Sequence, residues 1–327
     1  MNVYQDLEQI PPFKNAVITI GTFDGVHEGH KKILHQLKTE AESVDGETVV
    51  ITFHPHPKTV VGDTSGVKLL TTLEEKTTLL AAEHIDHLVV VPFDDHFSNL
   101  SAEDYITQFL YKKFKPRVLI IGYDHRFGKD RKGDYHLLEK YSKVLGFTVK
   151  EINQQVLKEA AISSTRVRKS LLQTDLVTAK ALLGYDYFFE GTVIKGDQLG
   201  RTIGYPTANL QLNHEDKLVP GDGVYAVIVN RPQPTDHSNS PTMDYRPSTI
   251  DFLQGMMYIG SRPVVNGKRR VIEINIFDFD EDIYDQNLQV VIKEYIRGDI
   301  HFAGLEDLKD QLALDKISVQ KVLKNLA

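Results

Sequence analysis

The chain has 327 residues, of which 41 % are hydrophobic and 25 % charged, so it belongs with ordinary globular proteins rather than disordered or collagen-like ones. Its formal charge of −7 excludes a global cationic field for a polyanion, although a local basic site for a small anion stays open. Cysteine and tryptophan are both absent, which removes disulfides, thiolate nucleophiles and Cys-ligated zinc together. The length predicts about two domains. No window approaches about 18 consecutive apolar residues and the first segment, MNVYQDLEQIPPF, lacks a basic then apolar leader pattern, so a soluble cytoplasmic protein is expected, with no membrane or nucleic-acid partner.

From Ala16 to about Leu183, β-branched runs alternate with stretches of helical period. Predicted strands are Ala16–Thr22, Thr48–Phe53, Leu88–Pro92, Val118–Ile121 and Thr148–Ile152. Between them lie KKILHQLKTEAESV, Leu73–Glu83 with a capping box from Thr72 to Glu75, Ser101–Tyr111, and Tyr135–Leu145 stopped by Gly146. This alternation predicts a doubly wound parallel α/β sheet whose ligand site lies beyond the carboxyl ends of its strands. After Gly184 the rhythm changes to glycine-punctuated strands: Phe188–Ile194, Ala208–Leu212, Val224–Asn230, Met256–Ile259, Arg270–Phe277 and Leu288–Ile296. Only Leu305–Lys324 then reads as a helix, so a small antiparallel β-barrel with a C-terminal helix is expected. The domains are therefore 1–184 and 185–327. The segment Arg231–Gln254 carries four prolines and reads as a long loop.

The first candidate site is GTFDGVHEGH, where a predicted strand runs directly into a helix. Gly21, Gly25 and Gly29 allow tight turns and close approach of a ligand, and a helix N-terminus offers unpaired N–H groups to phosphate. His27 and His30 stand three residues apart, so both rings fit one ligand. Phosphate binding competes here with a bare helix start and with a metal site completed by His54 and His56. Neither GxxxxGK[ST] nor GxGxxG occurs. Two further elements suit a nucleotide: ISSTRVRKSL, read as a helix start with Ser163, Ser164 and Thr165 ahead of Arg166 and Arg168, and the loop GYDHRFGKDRKGD with Asp124.

The second candidate site is GRTIGYPTANLQL with RVIEINIFDF. Thr207 and Asn209 share one strand face by the period of two, a placement that suits neutral oxygen ligands of Mg²⁺ and phosphate. In the second run Ile272, Ile274 and Ile276 face one way, Glu273 and Asn275 the other. A carboxylate on a strand's wet face is commonly just solvated, and the residues alone leave that reading open beside a general base.

GTFDGVHEGH, TFHPHP, PFDDHFSNLSAEDYI, GYDHRFGKDRKGD, ISSTRVR, GYPTANL, IGSRP, EINIFDFDEDIY and QLALDK, in this order, resemble the bacterial bifunctional riboflavin kinase/FAD synthetases. The resemblance implies an HxGH nucleotidylyltransferase module that joins the AMP of ATP to FMN, followed by a riboflavin kinase module. It implies His27, His30 and Glu273 as catalytic residues, Glu273 as base for the ribityl hydroxyl, and Thr207 and Asn209 as holders of Mg²⁺. Gly21, Phe23, Asp124, Ser163, Ser164, Thr165 and Arg168 would bind ATP or FMN in the first module, and Gly196, Gly204, Pro206 and Arg297 in the second. ATP is then the co-substrate, FMN and FAD the products, and a monomer or weak homo-oligomer the expected form. The chain departs from the family pattern at Ala161, where a basic residue is expected and Lys158 is nearby, at Tyr258 and Val264, which replace asparagine and threonine, and at Asp285, which replaces glycine.

Overall fold

A computed structural model of the chain describes residues 1–60, 68–122, 125–152, 154–196, 199–232, 250–264 and 267–325. They form two compact units, Met1–Arg166 and Val167–Ala327.

The first unit is a six-stranded, all-parallel sheet. Its strands are β1 (Asn2–Tyr4), β2 (Val17–Ile20), β3 (Thr48–His54), β4 (His87–Pro92), β5 (Val118–Gly122) and β6 (Thr148–Ile152), in the order β1-β4-β3-β2-β5-β6. Alternation along the strands fills both faces. Ile18, Ile51, Val89 and Leu119 enter one core, while Val17, Val50, Leu88 and Ile120 enter the other. Helices α1 (Glu28–Ser43) and α2 (Leu73–Ala82) cover one face through Leu34, Leu37 and Leu80. The other face is covered by α3, spanning 102–114 with a π-helical stretch at Tyr105–Tyr111, and by α4 (Tyr135–Leu145). The doubly wound sheet is as expected. The chain winds outward from β2 through β3 to β4, then returns to add β5 on β2's other side. The loop after β2 therefore opens at the switch point, where doubly wound sheets bind ligands.

Helix α5 (Gln154–Leu172) begins well before Ile162. Ser163–Thr165 thus lie in the interior of a helix, not at its start, and the expected anion cradle of free N–H groups is not there. Ser163 Oγ donates instead to the Glu159 carbonyl at 2.6 Å, the back-bond of a mid-helix serine.

The second unit starts with the end of α5 and α6 (Leu176–Leu183) and continues as a closed barrel. Its strands are β7 (Phe188–Ile194), β8 (Ala208–Leu212), β9 (Gly223–Pro232), β10 (Ile250–Val264), β11 (Gly267–Ile276) and β12 (Asn287–Arg297), in the order β10-β11-β8-β7-β12-β9. Tyr225, Phe189, Met257, Ile274 and Leu288 are fully buried in it. Helix α7 (Leu305–Lys324) packs Val319 and Leu323 on Ala226, Met256 and Phe277. The proline-rich segment expected as loop from Arg231 to Gln254 is strand at both ends, because Arg231–Pro232 and Ile250–Gln254 pair with each other or with Asn230, Val229 and Ile228. Arg231 fastens those ends, donating to Asp251 at 2.8 Å and to Glu281 at 2.6 Å. Residues 233–249 lie outside the described residues.

Candidate functional sites

In the first unit Gly21 extends the β2 ladder by donating to the Ile51 carbonyl at 3.0 Å. The chain then turns through left-handed backbone at Phe23 (φ 46), Gly25 (φ 85) and Val26 (φ 35). For phenylalanine and valine that is a strained conformation, of the kind that collects at ligand sites. The turn is held by Asp24, 4 % exposed, whose Oδ1 accepts from the backbone of Leu70 at 2.9 Å and Thr71 at 3.1 Å.

His27 is the N-cap of α1. Its Nδ1 accepts from the His30 backbone N–H at 3.3 Å, so the ring proton is assigned to Nε2, which donates to Ser164 Oγ at 2.7 Å. The imidazoles of His27 and His30 stack at 3.7 Å with 12° between planes, and Phe23 closes on His30 at 5.1 Å. His30 Nδ1 is buried without a hydrogen-bond partner. Burial first, then the neighbouring His27 and the Lys76 charge, hold the His30 ring well below the ordinary histidine range, so it is neutral at pH 7.

Lys76 was not singled out from the sequence. It is 6 % exposed, its Nζ donates to Thr52 Oγ1 at 3.4 Å, and Thr52 Oγ1 donates to the Thr22 carbonyl at 3.3 Å. Burial pushes its ammonium down to about 8 against the opposing pull of Asp24, so it remains a cation at pH 7. The readable signal was a lysine on the apolar stripe of α2, one turn before Leu80.

The structure thus joins Gly21, Phe23, His27, His30 and Ser164 in one place. Thr165 is exposed on the same helix, Arg168 follows within it, and Asp124 lies outside the described residues, as do the side chains of Lys158 and Ala161. Among the described residues no group of three His, Asp or Glu side chains converges on a metal position. His56 Nδ1 accepts from the Lys58 N–H at 3.1 Å, in the short helix Pro57–Val60 that follows it.

In the second unit Asn209 on β8 pairs in register with Glu273 on β11, which pairs with Tyr258 on β10. Thr207, Asn209, Tyr258 and Glu273 all line a cavity of about 580 Å³ against Phe302 and Leu312. The turn into β8 uses Gly204 at φ +85 and is tied by Asn275 Nδ2 donating to the Pro206 carbonyl at 2.7 Å. Gly196 lies directly on the Asn209 amide, where a Cβ would come within 2.1 Å of Nδ2. Two neutral oxygens and a neighbouring carboxylate at one wall fit a Mg²⁺ that keeps most of its other positions for water and phosphate.

Arg297 is not among the residues lining that cavity. Its Nε and Nη2 donate to the Asp315 carboxylate at 2.8 and 2.6 Å, and Gln311 Nε2 donates to the same carboxylate at 2.8 Å. Asp315 is 2 % exposed, so this pair fastens α7 to the end of β12. Asp285 takes φ +63, left-handed backbone that aspartate tolerates better than most residues, which accounts for its standing where the family pattern has glycine. The side chain of Val264 lies outside the described residues.

Two family profiles match the chain, FAD synthetase over residues 10–166 and riboflavin kinase over residues 183–323. The bifunctional riboflavin kinase/FMN adenylyltransferase of Escherichia coli K12 is 36 % identical over 95 % of this chain and 93 % of its own length. The enzymes of the same description from Listeria monocytogenes and Haemophilus influenzae are 36 % and 34 % identical, each over 92 % of this chain and over 90 % and 92 % of their own. A crystal structure described as a macrolide-efflux protein from Streptococcus pneumoniae superposes with a TM-score of 0.78 at 27 % identity, covering 98 % of both chains. That description belongs to that protein; among the described residues of this chain no helix is long and apolar enough to cross a membrane. Similarity over nearly the full length, with both profiles matched in order, establishes that the chain belongs to the bifunctional riboflavin kinase/FMN adenylyltransferase family.

Proposed function

We propose that the chain phosphorylates riboflavin to FMN in its barrel module and adenylylates FMN to FAD in its parallel-sheet module, with the functional division at 184/185. The observation that carries this reading is that one chain holds two separate constellations, a stacked His27–His30 pair at a sheet's switch point and a carboxylate set in register beside Asn209.

In the first step the ribityl hydroxyl is a neutral alcohol. Glu273 accepts its proton as the oxygen attacks the γ-phosphorus of ATP, and ADP leaves; a base within hydrogen-bond reach is worth about 10²–10⁴ in rate. Thr207 and Asn209 would hold Mg²⁺, which would supply charge neutralisation to the phosphates. Gly196, Gly204 and Pro206 bring backbone close to the phosphates and set the direction of β8, while Arg297 keeps α7 over the cavity through Asp315.

In the second step the nucleophile is a phosphate oxygen of FMN, already an anion, so no strong base is required. It attacks the α-phosphorus of ATP and pyrophosphate leaves. Catalysis is positioning and charge stabilisation. His27 Nε2–H donates to Ser164 Oγ and so orients that hydroxyl, the neutral His30 presents its ring beside them, and Lys76 supplies a buried positive charge. Phe23, Gly21, Asp124, Ser163, Thr165 and Arg168 complete the nucleotide and flavin contacts. We further propose that the enzyme works in the cytoplasm, as a monomer or weak homo-oligomer, on small molecules and on neither nucleic acid nor membrane; the net charge of −7 supports the exclusion of nucleic acid.

Separate assays test the division of labour. Glu273→Gln abolishes FMN formation and still makes FAD from supplied FMN, whereas His30→Ala does the reverse; a single variant that removes both activities at unchanged stability contradicts it.

A further inference from the structure

The row of side chains at the barrel wall continues past the base. Asn209 pairs with Glu273, Glu273 with Tyr258, and Tyr258 with Val224. Directly paired residues of adjacent strands point to the same face, and all four line the same cavity. Tyr258 is half-buried, and its phenol end leans along β10 onto the Gly260 backbone, where a Cβ would come within 2.0 Å of the hydroxyl oxygen. The absence of a side chain at 260 is what lets the ring lie there. The ring is therefore seated on one side by strand backbone, and its residue contributes to the cavity wall.

We infer that Tyr258 is a specificity-determining residue of the riboflavin kinase site, an aromatic wall for the flavin's ring system on the acceptor side of Glu273. The inference rests on the proposed kinase reaction. In-line phosphoryl transfer puts the leaving and attacking oxygens on opposite sides of the phosphorus. With the donor phosphates at Thr207 and Asn209, the base stands in the middle of the row and the alcohol lies beyond it, toward β10. From the row of Glu273 the tyrosine reaches two residues along its strand, about 6.6 Å. That span compares with the five-carbon ribityl chain separating the reacting hydroxyl from the tricyclic ring. An aromatic plate at that depth meets a planar π-system, and such stacking is worth about tenfold or more in affinity. Asparagine, which the family pattern has here, offers no such face.

Flavin fluorescence and steady-state kinetics of the full chain test this, because a phenol in contact with an excited flavin quenches its emission and a phenyl ring does not. The chain contains no tryptophan to quench in its place, and the cavity's other tyrosine, Tyr205, is common to all three proteins, so the difference between them reports Tyr258. Riboflavin emission is expected to fall on binding to the unsubstituted protein and to recover in Tyr258→Phe, whose retained ring keeps the KM for riboflavin within about threefold. Tyr258→Leu is expected to raise the KM for riboflavin about tenfold with the KM for ATP unmoved. Equal quenching in all three proteins, or a rise in both KM values together with a lower Tm, overturns the assignment. An unsubstituted protein that forms no FMN from riboflavin and ATP refutes the kinase reading itself; one that forms FMN while Tyr258→Leu behaves identically refutes only the role of Tyr258.

Discussion

The two sites are built on opposite plans. In the parallel-sheet unit the side chains come from distant stretches, with the β2–α1 turn, Thr52, the Leu70–Lys76 stretch and Ser164 meeting where the sheet reverses its winding. In the barrel unit the key groups are neighbours by strand register, Asn209 beside Glu273 beside Tyr258. The difference matches the chemistry. A phosphate nucleophile needs positive charge placed around it, and in the proposed reaction the buried Lys76 cation supplies that charge while His30 contributes a neutral ring. An alcohol nucleophile needs a proton acceptor at one fixed distance, and antiparallel pairing fixes distances well.

Substitutions break this comparison at different depths. The largest effect is expected at Glu273→Gln, which lowers kcat for FMN formation by about 10²–10⁴ and leaves FAD formation from FMN in place, read by separating the products of each half-reaction. His30→Ala is expected to lower kcat for FAD formation by about 10²–10³, the cost of one preorganised group, with FMN formation retained. Asp315→Ala leaves the Arg297 guanidinium, whose side chain is only 17 % exposed, without its carboxylate. The barrel should lose about 3 kcal/mol of stability, read as a lower denaturant midpoint. Gly196→Ala drives a methyl group into the Asn209 amide and is expected to slow FMN formation about tenfold, while the parallel-sheet activity does not change.

The smallest effect is one of pH. His30 in the folded chain titrates well below 6.5, so between the two values the unfolded chain binds a proton that the folded chain does not. Stability of the first unit is therefore present above about pH 6.5 and falls as the pH drops below it. His30→Gln is expected to flatten that dependence in denaturation curves taken at pH 7 and pH 5.

The sequence announced most of this architecture and less of its packing. Strand-like runs punctuated by glycine placed the six barrel strands, and β-branched runs placed β2 to β6, because long runs against a core leave a strong pattern. The strand Asn2–Tyr4 left none. It is three residues long and lies at a sheet edge, so no pattern can accumulate over it. Helix α5 reads from the sequence as starting at Ile162 because the serines there imitate a cap; the observed start at Gln154 also follows a residue type favoured as a cap, Asn153, so two cap signals compete along one helix and the later one misleads. His27 and His30 were legible as a pair through their spacing. Their stacking, and the commitment of His27 to Ser164 far along the chain, depend on tertiary contact and left no local trace. Arg297 was expected at a ligand; its pairing with Asp315 likewise became visible only when α7 folded back on β12.

The most direct test of the account is a time course with purified protein, riboflavin, ATP and Mg²⁺, with flavins separated and identified. FMN should appear first and FAD after it, with one ADP formed per FMN and one pyrophosphate per FAD. Failure to form FMN from riboflavin, or FAD from supplied FMN, contradicts the assignment of two sites to one chain.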